Sequence, residues 1–133
     1  MSDHELEIIR LRKAEKLLKL QSIPKEIITI NNEEEFNKLL KNFPEKIVII
    51  DFWAVWCAPC KIYAPVFKKA HEKNSKDFIF AKVNVDENSI IAQYYGITSI
   101  PTTLFVKGSQ VLHKFGGAVN YDTLMQIIEK VKS

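Results

Sequence analysis

The stretch from Ile47 to Lys61 constrains the fold of this chain more than any other. Ile47 to Trp53 is apolar except for Asp51. A short apolar run rich in β-branched residues reads as an interior strand, covered on both faces of its sheet. Cys57 and Cys60 follow directly, and they are the only cysteines in the chain. A helical pattern comes after them, from about Cys60 to Lys73. The first sulfur therefore falls where a helix begins. Unpaired backbone N–H groups and the positive end of the helix dipole favour an anion there, and a thiolate is such an anion. Cys57 reads as a thiol that ionises easily and acts as a nucleophile.

A Cys-X-X-Cys pair alone leaves four readings open: redox chemistry, half of a zinc site, chance, or a structural staple. Four-thiolate zinc is excluded by the cysteine count. A Cys2His2 site would have to recruit His4, His71 or His113, which lack the close paired spacing of a zinc finger. A staple closing so short a loop constrains the unfolded chain little.

The 133 residues suit one domain with a short excess, and 47% are hydrophobic, enough for a substantial core. The net charge is +3, spread along the chain, and all but two of the 19 basic residues are lysine. No arginine cluster or aromatic series points to nucleic acid. No apolar run approaches the roughly 18 residues of a membrane helix. No secretory signal is visible near the N-terminus, so the expectation is a cytoplasmic protein without a membrane partner. In that compartment a Cys-X-X-Cys pair leans towards redox catalysis.

Residues 3 to 20 read as an amphipathic helix, with Leu6, Ile9, Leu17 and Leu20 on one stripe and Ser22-Ile-Pro24 ending it. A strand is expected over 26–30. Asn32 and Glu35 resemble a capping box for a helix to about Lys41, with Phe36, Leu39 and Leu40 inward. The central strand and the cysteine helix follow, the latter containing Pro65, which is expected to kink it. A strand at Phe78–Asn84 precedes a short helix closed by Gly96. Leu104–Val106 and Val111–Phe115 read as a hairpin about Lys107–Gln110. Asn120 caps a final helix to about Lys132. Alternating strands and helices imply parallel pairing, and the hairpin adds an antiparallel edge. The fold class is α/β, one mixed sheet with helices on both faces.

Asp51-Phe-Trp-Ala-Val-Trp-Cys-Ala-Pro-Cys-Lys61, then Pro65, Lys82 in a strand, Ile100-Pro-Thr102 and Gly117-Ala118 together resemble the thioredoxin family. The match runs in family order over residues 26 to 133. Glutaredoxins usually have proline directly after the first cysteine, and disulfide isomerase domains carry Gly-His between the two. The resemblance implies a five-stranded sheet flanked by four helices, with residues 1–25 as a helical extension to a domain at 26–133. That extension reads as a packed or fraying terminus, or as a docking or dimerising helix.

The resemblance further implies that Cys57 is the exposed attacking thiol and Cys60 the buried resolving thiol. The two form a redox-active disulfide on turnover, in a reaction that belongs to cell redox homeostasis and electron transport. Asp51 would be a buried base with a raised pKa that takes the Cys60 proton, and Lys82 the lysine beside it. Pro101 matches the family's cis-proline, and the Ile100 backbone would pair with an extended substrate. Trp56, Ile100, Gly117 and Ala118 would form an apolar rim, with Trp53 in packing. Pro59 rigidifies the helix start. No bound cofactor or metal is implied. Electrons would come from a thioredoxin reductase using FAD and NADPH, and oxidised proteins would be the clients. Two departures stand out: Ala58 where the family usually has glycine, and Val55 at a usually polar position. Competing functions are a binding or chaperone module with incidental thiols, and a disulfide oxidant or isomerase.

Overall fold

The computed structural model describes residues 2–8, 10 and 23–133. The elements, in chain order, are β1 (Ile28–Ile30), α1 (Glu33–Asn42), β2 (Ile47–Trp53), α2 (Ala58–Asn74), β3 (Phe78–Asn84), α3 (Ser89–Tyr94), β4 (Thr102–Lys107), β5 (Gln110–Gly116) and α4 (Tyr121–Lys132). Residues 3–8 are also helical and exposed. The remainder of the helix expected over 3–20, residue 10 apart, lies outside the described residues.

The strands form one sheet in the order β1-β3-β2-β4-β5. β1, β3 and β2 run parallel, and β4 and β5 pair antiparallel at the other side. β2 is therefore interior, as its apolar run requires. Side chains alternate along it. Val48, Ile50 and Phe52 pack with Phe36 and Leu39 of α1 and Ile91 of α3. Ile49 packs on the opposite face with Phe67 and Ala70 of α2 and Leu124 and Ile128 of α4. Asp51 shares the Ile49 face, so its carboxylate lies on the side covered by α2. Phe67 and Phe80 meet edge to face there, with centroids 5.3 Å apart. Truncating Phe67 to alanine would cost about 3–5 kcal/mol.

Local signals set the boundaries. Asn32 accepts a hydrogen bond from the Glu35 amide at 2.8 Å. The Glu35 carboxylate reaches back to the Asn31 amide at 2.9 Å, one residue earlier than in a standard capping box. Asn120 caps α4 by accepting from the Thr123 amide at 2.8 Å. β1 is two residues shorter than its sequence pattern. α2 begins two residues before the expected Cys60, because Ala58 and Pro59 fill its first positions, where a missing donor costs nothing. It continues as one helix through Pro65.

Candidate active site: a cysteine bridge at the start of α2

β2 ends at Trp53 and α2 begins at Ala58, so Cys57 is the residue that caps α2. Its Sγ accepts the Cys60 backbone N–H at 3.2 Å. Cys60 is the third residue of the helix, one turn further in. The two sulfurs are bridged, with Cα atoms 5.3 Å apart, which is within the ordinary range for a disulfide. Ala54, Trp53, Val85 and Ile100 pack against the bridge.

The expected contrast between an exposed and a buried sulfur is absent in this bridged form. Cys57 is 4% exposed and Cys60 3%. The Ile100 carbonyl lies 3.8 Å from Cys57 Sγ and helps to cover it. What separates the two positions is electrostatics: Cys57 caps the N-terminal end of α2, and its sulfur accepts the Cys60 N–H.

The Ile100–Pro101 peptide is cis, and Ile100 packs against the bridge. The Pro101 carbonyl accepts the Gly117 amide at 2.8 Å, which draws the Gly117–Ala118 segment alongside. Gly117 has φ +100°, a backbone conformation open mainly to glycine. Gly117 and Ala118 are exposed, Ile100 is half-buried and Pro101 buried. Trp56 is 70% exposed, and its indole N–H donates to Asp86 Oδ2 at 2.8 Å. With Val85, Ile97, Thr98, Ser99 and Ile100 it lines a shallow groove beside Cys57. Val55 is also exposed, and Pro59 faces solvent next to Ala58. Of the residues expected at the rim, Ile100 packs against the bridge and shares the groove with Trp56, and Trp53 is half-buried against the bridge.

Asp51 is wholly buried, and neither carboxylate oxygen has a hydrogen-bond partner. Burial pushes its pKa up to about 6, against the partly offsetting charge of Lys82. Lys82 Nζ stands 3.8 Å from Asp51 Oδ2, an ion pair too long for a hydrogen bond. The same ammonium lies over the Trp53 ring, 5.1 Å from its centroid. Among the described residues no group of three or more His, Cys, Asp or Glu could hold a metal ion.

The thioredoxin family model matches residues 27–130. The chain belongs to the thioredoxin family. It is 39% identical over 104 residues to Thioredoxin-T of Drosophila melanogaster, a match covering 78% of this chain and 66% of that protein, just under two-thirds. It is 41% identical over 102 residues to a thioredoxin of Coprinus comatus, covering 76% and 93%. The solved thioredoxin of Malassezia sympodialis superposes with a TM-score of 0.73 at 36% identity, covering 80% of this chain and 94% of that one.

The fold is accordingly the thioredoxin fold, and the bridged pair sits in the family's Cys-X-X-Cys site. As a thioredoxin, the protein is a thiol–disulfide oxidoreductase acting through dithiol–disulfide exchange at Cys57 and Cys60. Such exchange needs no bound cofactor, because the electrons are carried on sulfur. No helix among the described residues is long and apolar enough to cross a membrane.

Three residues at or near the site gave no signal in the sequence. Asp86 holds Trp56 from 30 positions away. Tyr63 and Thr103 join their hydroxyls at 2.8 Å, buried on the α2 side of the sheet. Only tertiary structure brings these groups together.

Proposed function

We propose that this thioredoxin is a protein-disulfide reductase in which Cys57 attacks and Cys60 resolves. The observation that carries the reading is the Cys60 N–H directed at Cys57 Sγ. In the reduced protein that donor and the start of α2 favour a thiolate on Cys57. The thiolate attacks one sulfur of a client disulfide, and the other client sulfur leaves with the electron pair. Cys60 then attacks Cys57, releasing the second client thiol and forming the Cys57–Cys60 bridge.

Resolution requires Cys60 to lose its proton. Asp51 is the proposed acceptor: with a pKa of about 6 it is largely ionised at neutral pH, yet basic enough to take a proton. Lys82 keeps the buried carboxylate from remaining neutral. Trp56, Pro59, Ile100, Pro101, Gly117 and Ala118 form the client surface, the Ile100 backbone pairing with an extended segment. Opening the bridge and engaging a client would uncover the Cys57 sulfur.

Electrons are proposed to come from a thioredoxin reductase using FAD and NADPH, placing the protein in a cytoplasmic electron-transport chain. The proposed catalytic domain is 26–133, with residues 1–25 as an extension available for docking or dimerising. Reduction of a disulfide-containing protein, coupled to NADPH oxidation by a thioredoxin reductase, tests the reading. Steady turnover supports it, and no turnover with a fully reducible Cys57–Cys60 pair would overturn it.

A further inference from the structure

The orphaned carboxylate of Asp51 has a polar neighbour across the sheet. Buried carboxylates ordinarily accept hydrogen bonds. Thr103, wholly buried, is the register partner of Asp51 on antiparallel β4. Residues paired in this way point to one face, with Cβ atoms about 4.5–5.5 Å apart. Thr103 Oγ1 is fixed by the Tyr63 hydroxyl at 2.8 Å. Tyr63 stands three residues after Cys60 on α2, on the same inward face of the helix. A hydroxyl pair therefore joins the helix of the resolving cysteine to the strand opposite the base. Two hydroxyls share one hydrogen bond here, so one O–H remains to be donated elsewhere.

We propose that the Tyr63–Thr103 hydroxyl pair positions proton exchange at Asp51: Tyr63 donates to Thr103, and Thr103 presents its own proton to the carboxylate through one bridging water. The proposal rests on the reading of Asp51 as the base. In the resolving step the Cys60 thiol proton passes to Asp51, and the Cys60 electron pair forms the bond to Cys57 Sγ. The Cys57–client bond breaks, its electrons leaving on the client sulfur. The hydroxyl pair ends the step with the protons it began with. Its part is to orient the carboxylate and to set the pH at which it becomes a base.

Among the described residues, the other groups facing Asp51 are few. Lys82 comes from β3, and the cysteine pair opens α2. From α4 the buried residues are Leu124 and Ile128, which bring no charge. Burial pushes the Tyr63 phenol well above its usual range, so it keeps its proton wherever Asp51 titrates.

A donated O–H favours the ionised carboxylate, so losing it moves the Asp51 midpoint upward. Carboxyl-carbon NMR titration of the oxidised protein reads that midpoint directly. Tyr63→Phe, which keeps the ring packing, and Thr103→Val, which keeps the shape, should each raise it by roughly half a pH unit or more. Thr103→Ser should restore it, which a purely structural role does not require. Thermal midpoints of the variants report that they are folded. A midpoint that stays put or falls in both Tyr63→Phe and Thr103→Val would overturn the proposal. Resolution rates of an Asp51→Asn protein separate the two failures. If Asp51→Asn slows resolution while the hydroxyl variants leave the midpoint alone, the hydroxyl pair is wrong and the base stands. If Asp51→Asn does not slow resolution, both fall.

Discussion

The backbone N–H of Cys60 points at Sγ of Cys57 across 3.2 Å, within the first turn of α2. The converse contact is not made, since the Cys57 N–H donates to the Ala54 carbonyl at 3.3 Å. This one-way geometry supports the proposed order of the chemistry. Cys57→Ser should abolish turnover, and Cys60→Ser should accumulate a covalent adduct with the client through Cys57. Mass spectrometry of the adduct checks the second expectation. An adduct formed equally well by a Cys57→Ser protein would reverse the assignment.

The Asp51 pKa has a consequence for stability. Its folded value, about 6, lies above the ordinary 3.8. Between those pH values the folded protein binds a proton that the unfolded chain has lost. Stability therefore falls as pH rises from about 4 to about 6, then levels off. The loss is about 3 kcal/mol for a displacement of this size. Asp51→Asn, which cannot ionise, should be more stable than wild type near pH 7 by up to about that amount. The gain should vanish below pH 4. Denaturant titrations at the two pH values check it. The same variant should slow resolution by about a hundredfold or more, with first attack affected less.

Trp56 is held by Asp86 but otherwise open to solvent. A large apolar ring presented in this way is suited to client contact. Trp56→Ala should raise KM for a protein client about tenfold, equivalent to about 1.4 kcal/mol. Reduction of a small soluble disulfide should change far less. Steady-state kinetics with both substrates separates the two effects.

Ile23 is the first residue of the continuous described segment, and it packs against the core on the α1 side of the sheet. Deleting residues 1–22 should leave the fold and the intrinsic reduction rate intact. A thermal scan and a stopped-flow reduction assay check this. Loss of folding would show that the extension belongs to the core.

What the sequence made legible was local in origin. β2 and β3 match their apolar runs residue for residue, because an interior strand buries both faces and needs no partner to declare itself. Asn32 and Asn120 announce their helices through contacts three residues away. The near-equal burial of Cys57 and Cys60 was not legible, since it depends on the Ile100 segment, 43 positions on. Tyr63 and Thr103 looked like ordinary helix and strand residues. Their meaning comes from the register that sets Thr103 opposite Asp51.

The most direct test of the account is the reactivity of the two thiols in the reduced protein. Limiting iodoacetamide, applied across a pH series and followed by fragment mapping, reads which sulfur reacts and at what pH. The account predicts modification almost wholly at Cys57, with a midpoint below the free-thiol value of about 8.5. Equal labelling of Cys57 and Cys60, or a Cys57 midpoint at or above that value, would contradict it.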